Sequence, residues 1–191
     1  MKGLRLGYAL CGSFCTFEQS LAALEKLVKR GATVLPVLSY HAAGLDTRFG
    51  TARELKERLF SLTGCPPVQT IQGAEPIGPK ALCDLMVVAP CTGNTLAQLA
   101  LGITDTPVTM ACKSHLRSGR PVLLALSTND ALAAGGQNLG RLLNTKNIFF
   151  VPMRQDAPGE KPASLTADYA LLEPAITAAL AGRQLQPVFL G

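Results

Sequence analysis

Four clusters of small polar residues in this 191-residue chain could do chemistry, and each follows an apolar run. They are Cys11-Gly12-Ser13-Phe14, Ser39-Tyr40-His41, Cys91-Thr92-Gly93-Asn94-Thr95 and Ser127-Thr128-Asn129-Asp130. Hydroxyl and amide side chains supply hydrogen-bond donors, and a helix start adds free backbone amides. Such a turn suits a phosphate or the polar edge of a ring. Gly12 lets backbone approach a ligand, and Ser13 offers a hydroxyl beside it. The plainer reading of these turns is that Ser13, Asn94 or Thr95 only caps a following helix.

Proton transfer and metal chemistry have fewer candidates. His41 stands alone beside Ser39 and reads as a surface or supporting residue rather than a general base. The six cysteines, Cys11, Cys15, Cys65, Cys83, Cys91 and Cys112, form no C-x-x-C pair and no cluster with histidine, which argues against zinc. Several lie in apolar runs, the usual place of inert buried thiols.

The elements that must position these turns follow from periodicity. Leu85 to Ala89 is apolar without a polar face, as in a strand buried on both sides, and Pro90 is expected to end its ladder. A helical pattern with Leu96, Leu99 and Ala100 follows. Leu4 to Leu10 reads as the first strand and Thr16 to Arg30 as an amphipathic helix stopped by Gly31. Thr33 to Leu38 reads as the second strand, although Pro36 sits awkwardly in it. Ala52 to Leu62 is a charged helix broken by Gly64-Cys65-Pro66-Pro67. Val68 to Ile71 is expected to form a short third strand, and Gly73 to Lys80 a loop. Pro107 to Leu116 reads as a helix, Val122 to Leu126 as a strand, and Ala131 to Leu143 as an interrupted helical stretch. Asn147 to Val151 is expected as the last strand, with a loop over Arg154 to Ala163 and a helix from Asp168 to Leu180. The alternation implies an α/β fold of three-layer, Rossmann-like type: one parallel sheet with helices on both faces, a single domain over residues 1–191.

Charged residues make up only 16% of the chain against 48% hydrophobic, where about 25% charged is usual. That shortage suggests apolar surface covered by other subunits, hence a homo-oligomer. The net charge of +5 comes without a Lys/Arg block and without Trp, which speaks against nucleic acid and fits an anionic ligand. No signal-peptide core and no membrane-spanning run is seen, so the expectation is a reduced, cytoplasmic protein with no membrane role.

The stretch APCTGNTLAQLALGITDTPVT resembles the signature of the flavin-containing cysteine decarboxylase superfamily, roughly A-P-x-S-A-N-T-x-A-K-x-A-x-G-x-x-D-N-L. Ala89, Pro90, Asn94, Thr95, Ala97, Ala100, Gly102 and Asp105 stand in register. A second match follows in order: Asn129, Gln137, Asn138, Leu142 and Leu143 against P-x-M-N-x-x-M and a later Gln-Asn pair, without the methionines. The resemblance implies FMN as cofactor, held by Gly12, Ser13, Ser39, Cys91, Thr92, Asn94, Thr95, Ser127 and Asn129. Ser13 and Ser39 would take the phosphate, and Ser127 to Asn129 would border the ring. No full G-x-G-x-x-G is present, so a nicotinamide cofactor, NAD(P), would sit on a dehydrogenase-like partner subunit. The implied reaction is flavin-dependent oxidation of a small dianionic substrate, for which Lys113, Arg117, Arg120 and Arg154 are candidate cations. The chain departs from the decarboxylases at H-I-x-L-x-x-x-A-D, where it has Pro76-Ile77-Gly78-Pro79-Lys80-Ala81-Leu82-Cys83-Asp84. Pro76 stands at the histidine position and cannot move protons. The catalytic residue is therefore unassigned. A decarboxylase, a flavin prenyltransferase (whose usual G-A-S-G opening this chain lacks) and a non-catalytic binding module stay open beside the oxidoreductase.

Overall fold

The computed structural model describes Met1–Gly191. The chain opens with β1 (Arg5–Leu10), a single tight turn over Phe14–Thr16, and α1 (Phe17–Lys29). β2 (Thr33–Leu38), α2 (Tyr40–Gly44) and α3 (Ala52–Thr63) follow. α3 starts in a capping box, in which Thr51 and Glu54 satisfy each other's backbone amides. Its end is set by Gly64 at φ 70, a left-handed conformation that costs glycine nothing.

The short α4 (Ile71–Ala74) leads to β3 (Leu85–Cys91), α5 (Gly93–Leu101) and α6 (Pro107–Arg117). The chain ends with β4 (Val122–Thr128), α7 (Gly136–Leu143), β5 (Ile148–Phe150), β6 (Met153–Arg154), β7 (Leu165–Ala167) and α8 (Leu172–Leu180).

Five strands form a parallel sheet in the order β2-β1-β3-β4-β5, with Leu6 opposite Leu85 and Val87 opposite Leu123. The outer edge of β4 is shared. Its first half, Val122 to Leu124, pairs with β5, and its last two residues pair antiparallel with β7, which pairs antiparallel with β6. Every residue of β3 is buried, so the sheet is covered on both faces. Leu6, Tyr8, Leu10 and Val87 pack against α1, α3 and α8 on one face. Ala9, Met86, Val88 and Leu124 pack against α5, α6 and α7 on the other. Each buried leucine contributes about 1.5–3 kcal/mol. By contrast, the half-exposed Arg5–Asp84 ion pair across β1 and the start of β3 is screened by solvent and adds little.

Three expectations need correction. Val68 to Ile71 is not a strand: Val68 makes one isolated bridge to Val37, and the chain turns helical at Ile71. The Gly/Pro-rich stretch from Gly73 is not a plain loop, since α4 and a turn over Glu75–Ile77 run into it. Pro90 does not end the central strand. β3 runs on to Cys91 with a shift of register after Val88, and the Pro90 carbonyl still accepts from the Cys11 amide at 3.1 Å.

The sheet also gains two strands beyond Asn147 to Val151, because β6 and β7 are only two and three residues long and leave no periodic signal. Pro36 is accommodated. Thr33 donates to the Leu4 carbonyl and Ser39 to that of Leu10, along β1, while Leu38 donates outward to Val68, so even-numbered amides of β2 face away from the sheet and Pro36 forfeits no ladder bond.

His115 is wholly buried on α6, with Nδ1 3.7 Å from the Cys83 thiol and no partner at Nε2. Burial pushes its pKa down from 6.5 to about 4. The unfolded chain therefore binds more protons than the folded one between pH 6.5 and 4, and stability falls as pH drops through that window. The loss is about 1.4 kcal/mol for each pH unit separating the two pKa values. Denaturant melts of His115→Asn should show a flatter slope over this range than the parent chain. An unchanged slope would mean that His115 is not the titrating group.

Gly78 carries a steric constraint, since a Cβ there would lie 1.9 Å from the Ser114 carbonyl oxygen. Gly78→Ala should cost about 1–3 kcal/mol or more. Gly140→Ala, with open space at its Cβ inside α7, should instead gain about 0.5–1 kcal/mol. Urea midpoints of the two variants should move in opposite directions.

Candidate functional site

The chain passes from β2 over β1 to β3, so the strand order reverses between β1 and β3. Open α/β sheets place their ligands outside the carboxyl ends of the strands at that point. A cleft of about 470 Å³ opens there, lined by Gly12 to Thr16, Thr92 and Gly93, Ser127 to Asn129, Arg48 and Phe49, and Asp156, Lys161 and Ser164 to Thr166. Small-molecule sites span about 300–1,000 Å³.

The strand ends are tied to one another by hydroxyl and thiol groups. The Ser13 and Ser127 hydroxyls lie 2.9 Å apart and join the turns after β1 and β4. Thr92 caps α5 by accepting from the Thr95 amide, and its hydroxyl also donates to that of Thr95 at 3.1 Å. The Thr95 hydroxyl donates in turn to the Cys11 sulfur at 3.2 Å, joining the turns after β3 and β1. Burial pushes the Cys11 thiol up to about 11, so it stays protonated and inert at neutral pH. The backbone amides of Gly12, Phe14, Cys15 and Gly93 donate to no acceptor in the protein. Free amides at two neighbouring turns form an anion cradle. Gly93 is needed at its place, because a Cβ would lie 2.7 Å from the Thr128 hydroxyl.

The rest of the lining carries the charge. Thr47 and Gly50 exchange two backbone hydrogen bonds and hold Arg48 and Phe49 at the tip of a tight loop. The Arg48 guanidinium stacks over the Phe49 ring at 4.8 Å. Asp156 accepts from the Ser164 hydroxyl at 2.6 Å and pairs with Lys161 at 3.2 Å. Ser164's hydrogen bond, and then Lys161, keep the Asp156 carboxyl below its ordinary range. Antiparallel pairing of Thr166 with Ser127 carries this segment to the cleft.

Of the residues expected to hold a cofactor, the structure brings together Gly12, Ser13, Thr92, Ser127 and Asn129. The others lie off the cleft. Ser39 is buried and caps α2. Cys91 is wholly buried, Thr95 is buried behind Thr92, and Asn94 is exposed outside the lining. Neither Asn94 nor Thr95 is the cap, which is Thr92.

The four candidate cations are not at the cleft in this chain. Lys113 and Arg117 line a separate groove between α5 and α6. Arg120 donates to the Gly78 carbonyl, and Arg154 pairs with Asp168 at 2.5 Å. Arg48, Phe49, Asp156, Lys161 and Ser164 are additions that no motif announces. They sit in irregular segments whose path to the cleft depends on tertiary pairing. The turn residues Asp46 and Gly50 around Arg48 are the one local signal.

The Asp156 bonds fix the segment from Gln155 to Ser164 over the cleft. In Asp156→Ala, a glutamyl endopeptidase should cut after the exposed Glu160 several-fold faster while the urea midpoint barely moves. Equal cleavage rates would show that Asp156 does not hold this segment.

Comparisons with known proteins agree with this geometry. The sequence model of the Flavoprotein family matches residues 1–164. The chain is 47% identical over 190 residues to the B subunit of dipicolinate synthase from Bacillus subtilis (strain 168), covering 100% of this chain and 95% of that one. The crystal structure of the corresponding protein from Bacillus halodurans C superposes with a TM-score of 0.91 at 44% identity, over 100% of this chain and 97% of that one. The FMN complex of DmrB from Burkholderia xenovorans shares the fold, with a TM-score of 0.70 at 19% identity over 93% and 96%. A central buried strand ending in a hydroxyl-rich turn, a family match over most of the length and a full-length relative all agree: the chain belongs to the Flavoprotein family.

Proposed function

We propose that the chain binds FMN in this cleft and acts as the flavin-carrying half of a dipicolinate synthase. The reaction is oxidation of dihydrodipicolinate to dipicolinate during sporulation. NAD(P) belongs to a dehydrogenase-like partner, the A subunit of dipicolinate synthase. The observation that carries this reading is the full-length likeness to the B subunit of such a synthase.

The cleft fits the cofactor. Gly12, Phe14, Cys15 and Gly93 offer free amides, and Ser13 adds a hydroxyl, a donor set for one phosphate. No second glycine-rich turn follows for a dinucleotide. When bound, FMN would supply a hydride acceptor. The chain's own part is to hold the phosphate at the turns after β1 and β3, to orient the ring along the sheet edge and to exclude water.

Neither histidine lines the cleft, and Asp156 is held ionised by Ser164 and Lys161. A substrate proton thus has no acid/base partner here among the histidines, which supports dependence on a second protein. The same reading makes the protein cytoplasmic and self-associating, through exposed apolar side chains such as Leu101, Ile103 and Leu132. No helix is long and apolar enough to cross a membrane.

The purified protein should be yellow or take up FMN; Ser13→Ala should weaken FMN binding about tenfold, the usual worth of one hydrogen bond to a charged group, and Ser127→Ala about fivefold, the worth of a neutral one. Dipicolinate formation, followed by ultraviolet absorbance, should be fast only when this chain is mixed with its dehydrogenase-like partner. Equal rates from the partner alone would remove this chain from the reaction.

A further inference from the structure

We infer that Arg48, stacked on Phe49 at the mouth of the cleft, grips a carboxylate of the planar dianionic substrate. The inference rests on the dipicolinate reading above and adds to it the residue that recognises the substrate's charge.

Only two cations line the cleft, Arg48 and Lys161. Lys161 is neutralised by Asp156, whose other oxygen is taken by Ser164. Arg48 has no carboxylate partner and donates no hydrogen bond within the chain. An unpaired surface arginine is most often just solvated. Three features separate Arg48 from that case.

Its loop is held in place. Besides the Thr47–Gly50 bridge, the Thr47 hydroxyl accepts from the Phe49 amide at 3.1 Å, and Asp46 accepts from the Ala52 amide at 2.9 Å. Its guanidinium is already ordered, because one face rests on the Phe49 ring. A stacked guanidinium keeps its in-plane N–H donors free, the fork that matches a carboxylate bidentately. Finally, it lines the same cleft as the free amides of Gly12 and Gly93, from a separate segment of the chain. A phosphate at the amides and a carboxylate at Arg48 would thus be held by different groups. Half of the Phe49 surface is exposed, which leaves it open to cover a flat ring.

The test uses FMN-loaded protein mixed with the dehydrogenase-like partner. Dipicolinate is titrated in and read by the change it makes in flavin absorbance, while FMN affinity is measured separately by fluorescence quenching. In Arg48→Ala the dissociation constant for dipicolinate should rise about ten- to hundredfold, the range for a charge-assisted contact. FMN affinity should stay within about twofold, which also reports that the variant is folded. Arg48→Lys should lie between the two, since it keeps the charge and loses the fork.

If Arg48→Ala binds dipicolinate as the parent does, the inference is overturned. If FMN affinity falls instead, Arg48 holds the flavin phosphate and the inference is equally wrong. If the parent protein shows no response to dipicolinate at all, the dipicolinate reading itself fails and takes this inference with it.

Discussion

β3 has no face that water can reach. All seven of its residues are buried, so helices must cover both sides of the sheet, and polar side chains have no place along its length. A strand of this kind can present chemistry only where it stops. Its neighbours β1 and β4 are buried almost as thoroughly and stop at the same edge. Burial of the middle thus concentrates hydroxyls, amides and free N–H groups in one place, and the cleft follows from the packing. The links between Ser13 and Ser127 and between Thr95 and Cys11 then fix the spacing of the three strand ends.

The parts of this arrangement that depend on one segment at a time were legible in the residues. The apolar run Leu85 to Ala89, the leucine spacing of α1 and the polar turns after β1, β3 and β4 are local patterns, and they located five of the nine expected cofactor residues on the cleft. What could not be read depends on distant pairing. β7 exists because Leu165 and Thr166 complete the edge of β4 where β5 ends, and three residues carry no period of their own. The segment bearing Asp156 and Lys161 reaches the cleft only through that pairing. Arg48 reaches it through a loop set by Asp46, Thr47 and Gly50, far along the chain from the other turns that line it.

Motif register also has a limit that burial exposes. Asn94 and Thr95 stand in register with the superfamily signature and Thr92 departs from it, yet Thr92 lines the cleft while Asn94 turns to solvent and Thr95 to the Cys11 sulfur. A helix start places consecutive residues about 100° apart, so a row of matched positions cannot all face one ligand. Ser39 illustrates the same point. Its hydroxyl is already committed to the Ala42 amide, which makes it a fastening for α2.

Pro36 has a bearing on how copies of this protein can meet. It sits on the outermost parallel strand with its missing N–H turned away from the sheet, and Val68 closes over the adjoining groups. At the opposite margin β6 is only two residues long. Neither border therefore offers a continuous ladder onto which a stray strand could zip, the usual route to fibrils and swapped dimers. What the fold leaves open to a second copy is the outer helical surface, where contacts would be made by side chains and could be tuned one residue at a time.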